Sequence, residues 1–160
     1  MDLLIKVVDK AVEKEIKIVL NPGHRELRDK EKLRMIFPKL KALILNREEA
    51  EEVGSLSEEL KPEIIVVTNG RQGAKLYSPL GNLFAEAFAG PVVDETGAGD
   101  AFSVGFVAGL IKGLPLDKCL KLGMANGASV VSKLGAKTAL LYEQEVEDSF
   151  KRNLKIEQII

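Results

Sequence analysis

The chain has 160 residues, of which 46% are hydrophobic and 29% charged, and its formal net charge is −1 at pH 7. These values are ordinary for a soluble protein with one sizeable core, and they exclude the global basic field expected of a nucleic-acid or acidic-membrane binder. No segment is long and apolar enough to span a bilayer, and the single cysteine, Cys119, cannot form an internal disulfide, which predicts a cytoplasmic setting.

The first part of the chain alternates predicted helices with short predicted strands. Apolar residues at a helical spacing indicate the helices, and short apolar runs that end at turn residues indicate the strands. In chain order these elements are a helix at 3–15, a strand at 16–20, a helix at 29–37, a strand at 42–45, short helices at 48–53 and 57–60, and a strand at 64–67.

The second part begins with a predicted hairpin and continues with helices. The hairpin is indicated by two apolar segments that flank a Ser-Pro-Leu-Gly-Asn turn. The predicted elements are strands at 74–77 and 83–88, long helices at 98–112 and 116–134, and a charged amphipathic helix from residue 143 onward.

Short buried strands that alternate with helices predict an α/β fold, with three layers in which helices cover both faces of a mainly parallel sheet. The chain contains no repeat or linker, so we expect a single domain over residues 1–160. Ligands of such sheets bind at the carboxyl ends of the strands. Polar and glycine-rich clusters follow the predicted strands, and we expect four of them to converge on one edge: 21–25, 46–49, 68–73 and 94–100.

Residues 94–102 form the most informative stretch and read Asp-Glu-Thr-Gly-Ala-Gly-Asp-Ala-Phe. Its two glycines permit a sharp turn close to a ligand, and the amides that open the following helix have no partners within that helix, so they can bind an anion. Asp100 lies inside this turn, where phosphate binding alone does not explain an acid, since like charges repel. A carboxylate fits there if it accepts a proton while the amides stabilise developing negative charge.

This stretch resembles the second signature, D-x-T-G-A-G-D-x-F, of the ribokinase-like (PfkB) carbohydrate kinase family. Two further motifs occur in that family's order: residues 46–49 resemble its N-x-x-E, and residues 68–73 resemble its nucleotide loop, T-x-G-x-x-G. Gly135 and Ala136 stand where the family has a Gly-Ala pair. The resemblance covers nearly the whole chain and implies an ATP-dependent kinase that phosphorylates a sugar or sugar-like alcohol.

The resemblance also implies roles for the motif residues. Asp100 would be the general base for the substrate hydroxyl, and the anion hole would consist of the amides of Gly97, Ala98 and Gly99. Phosphoryl transfer asks a protein mainly for positioning and charge stabilisation, which agrees with these roles.

The remaining motif residues would bind the nucleotide and cations. Asn46 and Glu49 would organise Mg²⁺ through its waters, since Mg²⁺ keeps several waters and uses few carboxylates. Asp94 and Thr96 resemble positions that hold a monovalent cation such as K⁺ in some members. The residues expected to line the phosphates and ribose of ATP are Thr68, Gly70, Arg71, Gln72 and Gly73.

The chain matches only the carboxyl-terminal half of the family pattern. The first signature, most sugar contacts and a small β-sheet lid belong to an amino-terminal half that is not found here. Residues 16–20 would then form an exposed sheet edge, which invites pairing with another chain. We therefore expect the nucleotide-binding and catalytic half of a kinase, either as a homo-oligomer or paired with the missing half, with no nucleic-acid or membrane partner.

Alternatives remain open at this stage. The substrate could be a nucleoside or a hydroxymethyl-pyrimidine, or the chain could be a non-catalytic nucleotide-binding half that requires a partner subunit. At residue level, Asn46 and Glu49 could be a helix cap and a solvated acid, and Gly70 and Gly73 could be hairpin turn residues. Asn126 could touch adenine or serve only in helix packing.

Overall fold

The computed structural model describes residues 2–54 and 62–160 and confirms the predicted α/β class. The predicted helix at 57–60 lies outside the described residues. The described helices are α1 (Asp2–Glu13), α2 (His24–Leu27), α3 (Lys30–Ile36), α4 (Arg47–Val53), α5 (Ala98–Ile111), α6 (Leu116–Val131) and α7 (Val146–Lys151). The described strands are β1 (Val19–Leu20), β2 (Ala42–Asn46), β3 (Ile64–Thr68), β4 (Ala74–Tyr77), β5 (Asn82–Ala85) and β6 (Ile156–Ile159).

The sheet is mixed, which corrects the prediction of a mainly parallel one. Its strand order is β1-β2-β3-β4-β5-β6, and β1, β2 and β3 run parallel. Parallel neighbours need a crossover of about a dozen or more residues. Only residues 69–73 join β3 to β4, and only residues 78–81 join β4 to β5, so each of these neighbours must reverse direction.

Contacts divide the chain into two compact units, the first of which comprises residues 1–68 and 76–82. In its strand β2 all four residues from Ala42 to Leu45 are buried, as expected for a strand covered on both faces. Helices α1 and α3 contact each other and share a core cluster with β2, and Asp29 caps α3 by accepting a hydrogen bond from the Lys32 amide. The core cluster of this unit consists of Val8, Leu27, Leu33, Ile36, Phe37, Leu40, Leu43, Leu45 and Val53.

The second unit comprises residues 69–75 and 83–160 and is built around the packed pair α5 and α6. These helices approach closely because glycines face the partner helix. A Cβ on Gly105 would lie 2.8 Å from the Leu122 carbonyl oxygen, and one on Gly109 would lie 2.9 Å from the Cα of Cys119. Phe102 and Phe106 stack with ring centroids 6.2 Å apart on α5. The tightly packed pair therefore gives a rigid support to the glycine turn at the start of α5.

Cys119 is fully buried in this pair, and it provides a chemical test of the packing. Burial, with a smaller contribution from the Asp117 carboxylate, raises the pKa of its thiol from 9.0 to about 11. We expect the native thiol to react slowly with a disulfide reagent at pH 8 and quickly after unfolding. Because the folded-state pKa is the higher one, the free energy of unfolding should also fall as the pH rises from about 9 to 11. Rapid reaction of the folded chain would contradict this packing.

The strand predicted at 16–20 is shorter in the structure. The amide of Ile16 donates a hydrogen bond to the Ala11 carbonyl (2.9 Å), and Glu15 adopts φ +55°, so these residues still complete the end of α1. Only Val19 and Leu20 remain to form β1.

The segment before Asp94 and the chain's tail also differ from prediction. Residues 86–93, directly before Asp94, form no strand. The Val93 amide donates a hydrogen bond to the Val131 carbonyl at the end of α6 (2.7 Å) rather than to a neighbouring strand. The tail continues past α7 into β6, and the Lys155 carbonyl accepts a hydrogen bond from the Glu86 amide (3.1 Å). Pairing within the sheet thus replaces the last part of the predicted helix.

Candidate functional site

The glycine turn at the start of α5 depends on one residue, Gly97. It adopts φ +81° and forms the N-cap of this 14-residue helix. A Cβ at this position would lie 2.7 Å from the Ala136 Cβ and 2.9 Å from the Ala136 carbonyl oxygen. Both the left-handed backbone and the neighbouring turn therefore require glycine here.

Asp94 ties this turn to the one that follows α6. Its Oδ1 accepts a hydrogen bond from the Thr96 amide (2.9 Å), and its Oδ2 accepts one from the Gly135 amide (3.0 Å). The Thr96 hydroxyl, the Thr96 amide and the Gly135 amide hold the pKa of the Asp94 carboxyl below its usual value. Asp94 is therefore ionised at neutral pH and fixes the entry to the glycine turn.

The amides at the start of α5 differ in their availability. The Ala98 amide donates to the Glu95 carbonyl at 3.2 Å. The amides of Gly97, Gly99 and Asp100 have no hydrogen-bond acceptor among the described residues. Such open amides at the positive end of a long helix can bind an anion.

Asp100 lies in the first turn of α5 and is exposed. No residue in 2–54 or 62–160 forms a hydrogen bond or ion pair with its carboxylate. The positive end of the helix favours a negative charge at this position. The carboxylate is thus free to accept a proton from a bound hydroxyl group.

In the first unit, Asn46 and Glu49 form a capping box at the start of α4. The Asn46 side chain accepts a hydrogen bond from the Glu49 amide (2.9 Å), and the Glu49 Oε2 accepts one from the Asn46 amide (2.8 Å). Glu49 is only 8% exposed, so it is not the solvated acid of the alternative interpretation. Its Oε1 has no described partner, which leaves one carboxylate oxygen suited to a hard cation held through water.

The capping box predicts that the side chain of Asn46 contributes to the stability of the fold. Asn46→Ala removes the acceptor for the Glu49 amide and should lower the free energy of unfolding by about 1 kcal/mol. Asn46→Asp keeps an acceptor and should leave stability nearly unchanged, so it serves as the matched control. Urea unfolding of both variants measures the difference, and equal stability of the alanine variant and the parent would contradict the cap.

The strand ends of the first unit bring two predicted residues together. Asn46 and Thr68 are partners in the register of the parallel strands β2 and β3. The Thr68 hydroxyl donates to the Leu45 carbonyl at 3.3 Å. At the neighbouring end of β1, the Asn21 side chain donates to the Ile44 carbonyl at 2.9 Å. These parallel strands therefore end in one row of polar side chains, which includes members of three of the four predicted clusters; convergence of the cluster at 94–100 on this edge stays a prediction.

In the second unit, residues 70–73 form a tight turn before β4. Gly73 adopts φ +95°, and a Cβ there would lie 2.1 Å from the Ala85 carbonyl oxygen, so this glycine is needed for strand packing. Gly70, Arg71 and Gln72 are exposed in a 3-10 turn, and the Gln72 side chain accepts a hydrogen bond from Asn69. The turn-residue interpretation therefore holds for Gly73, while the exposed Arg71 is available to an anionic ligand.

Sequence reasoning missed one partner in the second unit. The Gly135 amide donates a hydrogen bond to Asp94, whereas the sequence indicates Gly135 only as a family position. Asn126 is buried and hydrogen-bonded at both ends of its amide, which supports the packing interpretation. Among the described residues, no group of three or more His, Cys, Asp or Glu side chains could hold a metal, and no helix has the length and apolarity to cross a membrane.

Residues 3–142 match the family model described as pfkB family carbohydrate kinase. The chain is 30% identical over 147 residues to the cytidine kinase of Thermococcus kodakarensis, which takes in 82% of this chain and 52% of that protein. It is 37% identical over 116 residues to an inositol 3-kinase of Zea mays, which takes in 72% of this chain and 30% of that protein.

The fold also has solved counterparts. The crystal structure of the nucleoside kinase of Methanocaldococcus jannaschii, described as an archaeal member of the ribokinase family, matches with a TM-score of 0.77 and 28% identity. That match covers 85% of this chain and 48% of the other. The chain thus spans about half the length, or less, of these relatives.

Proposed function

The chain belongs to the pfkB family of carbohydrate kinases, and on that premise we propose that it transfers the terminal phosphoryl group of ATP to a hydroxyl of a sugar or sugar-like substrate. Named kinases of sugar-like alcohols and of nucleosides are among its relatives. The chain would supply a general base and an anion-binding turn. Phosphoryl transfer depends mainly on positioning and charge stabilisation, which such groups provide.

The observation that carries the proposal is the juxtaposition of open amides and a free carboxylate in one helical turn. The amides of Gly97 and Gly99 have no described acceptor, and Asp100 has no described partner. In the proposed reaction Asp100 accepts the proton of the substrate hydroxyl, and the amides stabilise the charge of the transferred phosphoryl group. Because the Ala98 amide already donates to Glu95, we assign the larger share of the anion hole to the two glycines.

Asn46 and Glu49 would hold Mg²⁺ through water, chiefly by the Glu49 Oε1, which has no described partner. When bound, Mg²⁺ would neutralise charge on the triphosphate. The exposed turn from Gly70 to Gln72, with Thr68 before it and Gly73 after it, would line the nucleotide. We retain a monovalent cation, K⁺, near Asp94 and Thr96 as a proposal that the family resemblance implies.

The substrate class has a second candidate. A nucleoside is favoured by two findings, the likeness to the cytidine kinase and the structural match to the nucleoside kinase. A hydroxymethyl-pyrimidine stays as a further alternative within the family. The rival of another class is a non-catalytic nucleotide-binding module that works with a partner subunit.

Two measurements test the proposal in order. Calorimetric titration with ATP and Mg²⁺ should detect binding, and the absence of binding at millimolar nucleotide would contradict it. A substrate panel of sugars, inositols and nucleosides, run with the domain completed by an amino-terminal half and followed by the ADP formed, should then identify the acceptor. ATP binding without ADP formation for any panel member would favour the non-catalytic module.

A further inference from the structure

Resting on the proposed function, we propose that Asn126 is a positioning residue for the reaction: it holds the first turn of α5, which carries Asp100, against α6 and the segment at Leu141. The residue itself lies on α6 and touches neither the glycine turn's open amides nor Asp100 in the described contacts. Asn126 would act on Asp100 through the backbone of Ala101, the residue that follows Asp100.

The contacts of Asn126 use both ends of its side-chain amide. Its Nδ2 donates to the Ala101 carbonyl at 2.7 Å, and its Oδ1 accepts from the Leu141 amide at 2.9 Å. The residue is 4% exposed, so water competes little for these bonds. Buried hydrogen bonds of this kind are costly to break, because the partner groups lose water without gaining a replacement.

The contact with α5 lies one residue after Asp100, so it bears on the position of the proposed base. Ala101 directly follows Asp100, and its carbonyl lies in the peptide unit that joins it to Phe102, so a displacement of that unit reaches Asp100 through Ala101. The next residue on α6, Gly127, also lies against this turn, since a Cβ there would lie 3.3 Å from the Ala98 carbonyl oxygen. Two adjacent residues of α6 therefore lie against the first turn of α5.

The space around Asn126 leaves little freedom for rearrangement. A Cβ on Gly105 would lie 3.0 Å from the Asn126 Cβ, so the two helices are in contact at this level. Loss of the side-chain donor cannot be compensated by a closer approach of α6. A displacement of about 1 Å in a reacting group can lower a rate by about 100-fold.

The test compares Asn126→Leu and Asn126→Asp with Ser129→Ala, a control one turn further along α6 whose hydroxyl has no described partner. Leucine is similar in size and makes neither bond. Aspartate keeps an acceptor for the Leu141 amide but, when ionised, cannot donate to Ala101. In both variants hydrogen exchange at the amides of residues 101–103 should accelerate by about 10-fold, the equivalent of one buried hydrogen bond, relative to the rest of α5.

In a preparation that forms ADP, kcat of both Asn126 variants should fall by about 100-fold with the KM for ATP little changed. The control should match the parent in every measurement. Unchanged exchange at residues 101–103, or a uniform rise over the whole chain, would overturn the proposal. The exchange measurement needs no turnover, so it judges the positioning role even if the proposed reaction itself fails its own test.

Discussion

Asp100→Asn is expected to lower kcat by about 10²–10⁴-fold, the usual contribution of a general base. The amide keeps the size and shape of the carboxylate, but it replaces one acceptor oxygen by an NH2 donor and cannot accept the proton of a substrate hydroxyl. Since Asp100 is exposed and has no described partner, the fold should not depend on its charge. Calorimetry should therefore find ATP binding retained, and the thermal midpoint should stay near that of the parent.

Glu95→Gln is the matched control, because it removes an exposed acid from the same turn. The described contacts of Glu95 use only its backbone carbonyl, which the substitution keeps. This variant should retain the parent's kcat. If Asp100→Asn turned over substrate as fast as Glu95→Gln, Asp100 would not be the base.

The sequence predicted the glycine turn and its helix, but it did not distinguish the two glycines. The motif presents Gly97 and Gly99 as equivalent. In the structure a Cβ on Gly97 would collide with Ala136, whereas a Cβ on Gly99 would meet nothing within 4 Å beyond its chain neighbours and the backbone of its own helical turn. A contact with a residue so distant in the chain leaves no local trace in the sequence, so only the folded structure separates a packing glycine from an open one.

The cap at Asn46 is predictable only in part, because its pattern is local but the burial of Glu49 is not. An Asn followed three residues later by Glu is a local pattern, and the pattern alone indicates a capping box. The burial of Glu49 is not local, since it depends on the residues packed around α4. The strand β6 was missed because a short segment such as Ile156–Ile159 becomes a strand only when its neighbour in the sheet is present.

Gly97→Ala is expected to lower the free energy of unfolding by about 2–5 kcal/mol. Alanine in the left-handed conformation costs about 1–2 kcal/mol, and overpacking costs about a further 1–3 kcal/mol. The methyl group would meet both the Cβ and the carbonyl oxygen of Ala136, and backbone atoms of that turn cannot move without disturbing the Asp94–Gly135 hydrogen bond. Urea unfolding of the variant measures the loss.

Gly99→Ala is the informative counterpart, because its methyl group meets no atom within 4 Å beyond its chain neighbours and the backbone of its own helical turn, and its backbone is not left-handed. Its stability should stay within about 0.5 kcal/mol of the parent. The added methyl group would nevertheless stand beside an open amide, where the phosphoryl group is proposed to bind, and loss of one such donor typically costs about 10²–10³-fold in rate. A stable Gly99→Ala variant with full activity would exclude close approach of the phosphoryl group at this amide.

A Gly97→Ala variant as stable as the parent would contradict the packing of the two turns. Together the two variants separate the glycine that shapes the turn from the glycine that admits the ligand.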